Sequence, residues 1–102
     1  MRHNHQKRLG QKAGKLVTEE EHLDENGLHH RIDGPAVIYD NGDESWYVHG
    51  VRHRIDGPAL TWHGNDGWFI DGVRYYYFKE FQEASGLSDE QMCVLRLKYG
   101  EL

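Results

Sequence analysis

Arg31-Ile32-Asp33-Gly34-Pro35-Ala36-Val37 returns along the chain as Arg54-Ile55-Asp56-Gly57-Pro58-Ala59-Leu60, a shift of 23 residues with six identities in seven. Its neighbours move with it: Gly27 maps to Gly50, His30 to His53 and Tyr39 to Trp62. A second frame, Trp46 with Gly50-Val51-Arg52, returns as Trp68 with Gly72-Val73-Arg74 at a shift of 22, so one residue is lost near Gly64. The array covers roughly residues 23 to 76, as two full units and a partial third. Self-similarity at such a period marks stacked supersecondary units rather than an irregular globule.

Inside a unit the apolar period is close to two, as in Trp46-Tyr47-Val48 and Leu60-Thr61-Trp62, which is strand patterning. Asp40-Asn41-Gly42-Asp43 predicts a hairpin turn of type I′, and Asn26-Gly27, His49-Gly50 and Asp71-Gly72 predict more of them. In Asp33-Gly34-Pro35 and Asp56-Gly57-Pro58, Gly supplies unusual backbone angles, and Pro, without an N–H, fits only a strand start or edge. Short strands are therefore expected near 28–32, 35–39, 44–49, 51–55, 58–63, 67–70 and 73–77, forming an antiparallel meander.

A one-layer ribbon of hairpins cannot bury its own apolar face. The C-terminal segment is the candidate cover. Phe78 to Ser85 reads as a short helix stopped by Gly86, and Ser88-Asp89-Glu90-Gln91 as a capping box opening a second helix over about 89–99. Met92, Leu95 and Tyr99 then share one face, while Leu95-Arg96-Leu97-Lys98-Tyr99 also alternates and leaves a last strand open. The expected class is α+β, mostly β: a meander of short repeated hairpins over about 23–77 with one or two C-terminal helices over about 78–100.

With 102 residues, 37% of them apolar, the chain is a single small domain at most. Its aromatic content, 12%, is unlike that of disordered chains. The net charge of −5 divides unequally. Residues 1–17 hold Arg2, Lys7, Arg8, Lys12 and Lys15 with no acid, so that 18–102 hold the other 7 bases and all 17 acids, a balance of −10. A basic flexible tail and an acidic body are expected, with nucleic acid reachable only through the tail or a local arginine cluster. No apolar run is long enough to cross a membrane or to follow the basic N-terminus as a signal peptide, so a cytoplasmic protein is expected. Cys93, the one cysteine, sits in Met92-Cys93-Val94-Leu95 and is expected to be a buried thiol.

The pattern Trp46, Gly50, His53-Arg54, Asp56-Gly57-Pro58-Ala59 resembles a repeat of small proteins from tailed phages and some large viruses. The repeat length, the turns and the aromatic strands are also similar to divergent MORN (membrane occupation and recognition nexus) repeats, single β-hairpins stacked into a ribbon. A typical MORN unit has His-Gly-x-Gly where this chain has His-Arg-x-Asp-Gly-Pro-Ala, so no lipid or scaffold role is carried over. The resemblance implies a viral origin and a β-ribbon. Through the economy of viral genomes, it also implies a compact protein that engages or inhibits a host protein in the host cytoplasm.

The residues offer three kinds of site. His30 and His53, with Asp33 and Asp56, recur in successive units and are the best metal or nuclease constellation. They come without a Cys pair, a His-Glu-x-x-His or a calcium loop, and the blander reading makes each His-Arg-x-Asp a corner with Arg paired to Asp. No cofactor is expected. Arg31, Arg52, Arg54 and Arg74 beside Trp46, Trp62 and Trp68 form the second candidate. Guanidinium forks with flat rings suit a protein interface or a small anionic nucleotide. The run Tyr75-Tyr76-Tyr77-Phe78 cannot turn every ring to one core, so some ring is exposed. Glu19-Glu20-Glu21 reads as a solvated charge run, and unpaired strand edges leave a homodimer open. The expectation for the whole is a non-enzymatic binding protein.

Overall fold

The structure, a computed structural model, describes residues 4–7 and 18–100. The strands are β1 (Asn4–Lys7), β2 (Thr18–Leu23), β3 (Val37–Tyr39), β4 (Glu44–Ser45), β5 (Tyr47–Val48), β6 (Val51–Arg52), β7 (Leu60–Trp62), β8 (Asn65–Ile70) and β9 (Val73–Tyr75). They are followed by helices α1 (Phe78–Ser85) and α2 (Asp89–Tyr99). All pairings are antiparallel: one sheet runs β1-β2-β3-β4-β7-β8-β9, and β5-β6 form a separate ladder beside it. The fold is the mostly-β α+β meander that the sequence predicts, and of the one or two C-terminal helices expected there are two. Most of the basic arm lies outside the described residues; within it, β1 pairs with β2.

The hydrogen bonds between strands show what the repeated motif does. His30 donates its N–H to His22 O, and His22 donates to Ala36 O, so residues 31–35 bulge out opposite the single residue His22. One unit later His53 donates to Trp46 O and Trp46 to Ala59 O, and residues 54–58 bulge out opposite Trp46. Each return strand of the meander is thus broken in its middle by Arg-Ile-Asp-Gly-Pro.

The arginine holds its own bulge together. Arg54 Nε donates to Asp56 Oδ1 at 2.8 Å and Nη1 to the Pro58 carbonyl at 3.1 Å. Arg31 repeats this with Asp33 Oδ1 at 3.3 Å and Pro35 O at 3.2 Å. The guanidinium crosses the backbone so closely that a Cβ on Gly57 would sit 2.6 Å from Arg54 Cζ, and one on Gly34 2.7 Å from Arg31 Cζ. Only glycine admits that approach. Pro leaves no orphan N–H in the bulge, and Ala36 and Ala59, both 0% exposed, bring the strand back in.

The turns account for the change of period. His49-Gly50, His63-Gly64 and Asp71-Gly72 have positive φ at both residues, as a two-residue type I′ connection requires. Asn41-Gly42 differs from the expectation. Gly42 N–H closes on Tyr39 O and Tyr39 N–H on Asp43 O, and of the loop residues only Gly42 has positive φ, so this is a three-residue connection ending in a left-handed glycine. Asn26-Gly27 has the same form, with Gly27 N–H on Asp24 O. A three-residue loop in one unit and a two-residue loop in the next removes one residue, which is the shift from 23 to 22.

Two other expectations are corrected. Residues 28–32 make only an isolated bridge, Leu23↔His29, because the bulge begins at once. Glu19-Glu20-Glu21 is part of β2, and His22, His29 and Arg31 partner two of its acids: Glu20 Oε2 lies 2.6 Å from His22 Nε2 and 3.7 Å from Arg31 Nη1, and Glu21 Oε2 lies 2.9 Å from His29 Nε2.

The helices cover one end of one face. Gly86, at φ 77, stops α1 with its N–H on Gln82 O, and Ser88 and Gln91 form the reciprocal capping box of α2. Residues 94–99 are helical. Phe78, Phe81, Met92 and Leu95 close over Trp68 and Ile70, with Tyr75, Leu87 and Tyr99 at the margin. Cys93 is exposed, because Met92 and Leu95 define the buried side of α2.

Candidate functional site

The seven aromatic and arginine candidates separate onto three surroundings. Trp68, 3% exposed, is the centre of the core, edge-on to Phe78, Phe81 and Tyr99 at centroid distances of 5.2, 5.0 and 5.5 Å. Its burial removes it from any binding surface, and this corrects the sequence reading.

Trp46, Arg31 and Arg54 come together on the same face beyond the edge of the helices. Arg54 Cζ stands 3.8 Å from the Trp46 ring centroid, and its Nη2 reaches the Tyr99 hydroxyl at 3.4 Å. Around Trp46 opens a groove of about 600 Å³ lined by Arg31, Ile32, Val48, Val51, His53, Arg54, Ile55 and Asp71. Its lining is largely apolar: Ile32 is 69% exposed, Val51 44% and Ile55 41%.

Arg52, Trp62 and Arg74 stand on the opposite face. Arg52 pairs across the ladder with Tyr47, and Arg74 with Phe69. The result is a row of alternating rings and cations: Arg52 Cζ lies 4.9 Å from Tyr47 and 5.1 Å from Phe69, and Arg74 Cζ lies 5.7 Å from Phe69 and 5.2 Å from Tyr76. Trp62, 43% exposed, shares a shallow pocket of about 440 Å³ with Leu60, Asn65, Asp66, Gly67 and Arg74. Of the tyrosine run, Tyr76 and Tyr77 are exposed, while Tyr75 and Phe78 join the core.

The recurring histidines serve the backbone. His30 Nδ1 accepts the N–H of His49 at 2.9 Å, and His53 Nδ1 accepts that of Asp71 at 3.0 Å. Both donors are positive-φ turn residues. Asp33 and Asp56 hold Arg31 and Arg54. Among the described residues no group of three or more His, Cys, Asp or Glu side chains converges on a point where a metal ion would fit.

One cluster escapes the sequence reading. Asp24 is 0% exposed; its Oδ1 accepts the N–H groups of Asn26 and Leu28 at 2.8 and 2.9 Å, and its Oδ2 lies 2.7 Å from His49 Nδ1. The His49 hydrogen bond, with those two amides, lowers the Asp24 carboxyl from 3.8 to about 2. His49 stacks on the buried His30 ring at 3.9 Å, so Asp24 ties the first turn to the second unit. The Asx pattern at Asp24-Glu25-Asn26-Gly27 is its one sequence signal.

Against protein-family models, curated proteins and solved structures, the chain finds no match.

Proposed function

We propose that this protein is a non-enzymatic recognition module that docks a segment of a partner protein into the groove around Trp46. The observation that carries this is the repeated isoleucine. In each bulge Arg, Asp, Gly, Pro and Ala have a role in the fold, as hydrogen-bond donor, acceptor, close approach, missing donor and buried return. The isoleucine between Arg and Asp has none, is exposed in both units, and lines the groove in both. Covering one such side chain is worth about 1.5–3 kcal/mol. The core supports the same reading: at the equivalent position one unit later, apolar side chains from the chain's own helices cover Trp68. The expected occupant of the groove is therefore a partner segment presenting apolar or aromatic side chains to Trp46, with backbone or acidic groups for the guanidinium rims. The resemblance to viral repeat proteins makes a host protein the expected source of that segment.

The test uses a photo-crosslinking residue at Val51, another exposed residue of the groove, in the full chain, with Ile32→Ser/Ile55→Ser and Arg74→Gln as variants. A single partner crosslinked at position 51, lost from the double serine variant and retained by Arg74→Gln, is the expected result. A partner retained by the double serine variant at unchanged yield, or no partner at all, would sink the reading.

A further inference from the structure

The face opposite the groove carries a second, independent feature: two arginines without acids. In the first unit the corresponding side chain is His29, and the acid that meets it is Glu21, at 2.9 Å. Strand register shows which residues stand in the place of Glu21 further along. Glu21 pairs with Val37, Val37 with Ser45, Ser45 with Leu60 and Leu60 with Gly67, so Glu21, Ser45 and Gly67 fill one row, on β2, β4 and β8. The row two residues on holds Leu23, His29, Tyr47, Arg52, Phe69 and Arg74. Each of these nitrogen-bearing side chains therefore has a fixed diagonal neighbour: Glu21 for His29, Ser45 for Arg52, Gly67 for Arg74.

The acid is present once and missing twice. Beside Arg52 stands a Ser45 hydroxyl that is buried without a hydrogen-bond partner, and Arg52 Nε is likewise buried and unsatisfied. Beside Arg74, Gly67 contributes no side chain, and the pocket of about 440 Å³ opens there. Neither Arg52 nor Arg74 meets a carboxylate at ion-pair distance among the described residues, although the body is rich in acids and pairs Arg31 and Arg54 with Asp33 and Asp56. The two guanidiniums are held by rings, on either side of Phe69.

We infer that this pocket is a nucleotide site, in which a phosphate takes the place of the missing carboxylate beside Arg74 while the base lies on the exposed ring of Trp62. The lining has the required chemistry. Arg74 offers a guanidinium fork for phosphate oxygens, with Arg52 behind Phe69 adding to the positive field. Trp62 is a flat, exposed ring of the kind on which bases stack. Asn65 supplies both a donor and an acceptor, and Asp66 an acceptor for sugar hydroxyls. The volume lies within the range of small-ligand sites. Asp66 and the acidic body oppose a long polyanion, which selects a mononucleotide over a nucleic-acid strand.

The experiment is isothermal titration calorimetry of the full-length protein with four probes: ATP, adenosine, inorganic tripolyphosphate and a ten-residue oligothymidylate. ATP is expected to bind, with adenosine and tripolyphosphate each weaker by roughly tenfold or more because each engages half of the site. Arg74→Gln is expected to raise the ATP Kd by about tenfold, and Trp62→Ala to weaken ATP but leave tripolyphosphate unchanged. Both side chains are solvent-facing, so both variants should retain the wild-type circular dichroism; Asn65→Ala is the alternative should either lose it. Absence of ATP binding, binding unaffected by Arg74→Gln, tripolyphosphate as tight as ATP, or binding of the oligonucleotide alone would each overturn the inference. The outcome is separable from that of the groove: Ile32→Ser/Ile55→Ser should leave ATP binding unchanged.

Discussion

Trp46 and Trp68 occupy the same place in successive units, each opposite a bulge, Trp46 between β4 and β5 and Trp68 within β8, yet one lines an open groove and the other is the middle of the core. The difference lies in the next element of the chain. Beyond Trp46 comes another unit, whose Arg54 stacks on one side of the ring and leaves the groove open; beyond Trp68 the repeat ends and two helices fold back over it. A repeat residue is thus core or surface according to the element that succeeds it, and identity of sequence position does not decide between the two.

The largest effect is expected where that contrast is sharpest. Trp68→Ala removes a buried ring and three edge-to-face partners and should lower stability by about 3–5 kcal/mol in urea titrations. Trp46→Ala loses a partly exposed ring and one cation–π contact, worth about 0.5–2 kcal/mol. Equal losses would show that the groove is closed in solution.

The two bulges allow a finer comparison. Gly57→Ala forces Arg54 off the backbone and costs its hydrogen bonds, its seat on Trp46 and its link to Tyr99, about 1–3 kcal/mol in all. Gly34→Ala displaces Arg31, whose bonds to Asp33 and Pro35 are longer, and should cost less. If the steric argument is right, Arg54→Ala combined with Gly57→Ala is less destabilising than the sum of the single changes.

These same bulges explain what the sequence did and did not disclose. The meander, the helical cap and the Arg–Asp corner were legible because glycine, proline and the paired charges act within a few residues of one another. The division of the candidates between two faces was not. In an unbroken strand Arg52 and Arg54 share a face; here Arg52 lies on Tyr47 and Phe69 while Arg54 turns back over Gly57 onto Trp46, because the bulge starts at Arg54 and resets the alternation. β2 was hidden for a different reason. Its glutamates look solvated until His29 is brought against Glu21 and Arg31 against Glu20.

Long-range charge also joins the first turn to the second unit, and acid should expose it. Asp24 titrates at about 2 in the fold against 3.8 in the unfolded chain, so the native state binds fewer protons between those values. Its contribution is complete above the unfolded value and is lost as pH falls through about 2. Urea titrations across that window should show stability falling with pH in the parent and a flatter profile in Asp24→Asn, which is less stable at neutral pH. Parallel profiles would place the acid sensitivity elsewhere.

The smallest effect on stability is the most informative about purpose. Ile32 and Ile55 are repeated, exposed and outside every hydrogen bond that builds the bulge, so Ile32→Ser and Ile55→Ser should each change stability by no more than about 0.5 kcal/mol. A core residue cannot behave that way, and a surface residue kept only by chance would have little reason to be the same apolar type in both bulges. If either serine costs well over that amount, isoleucine belongs to the fold and the groove loses its claim to a partner. If both are silent in urea while crosslinking at the groove is abolished, the repeat has two superimposed roles: Arg, Asp, Gly, Pro and Ala build the bulge, and isoleucine presents it.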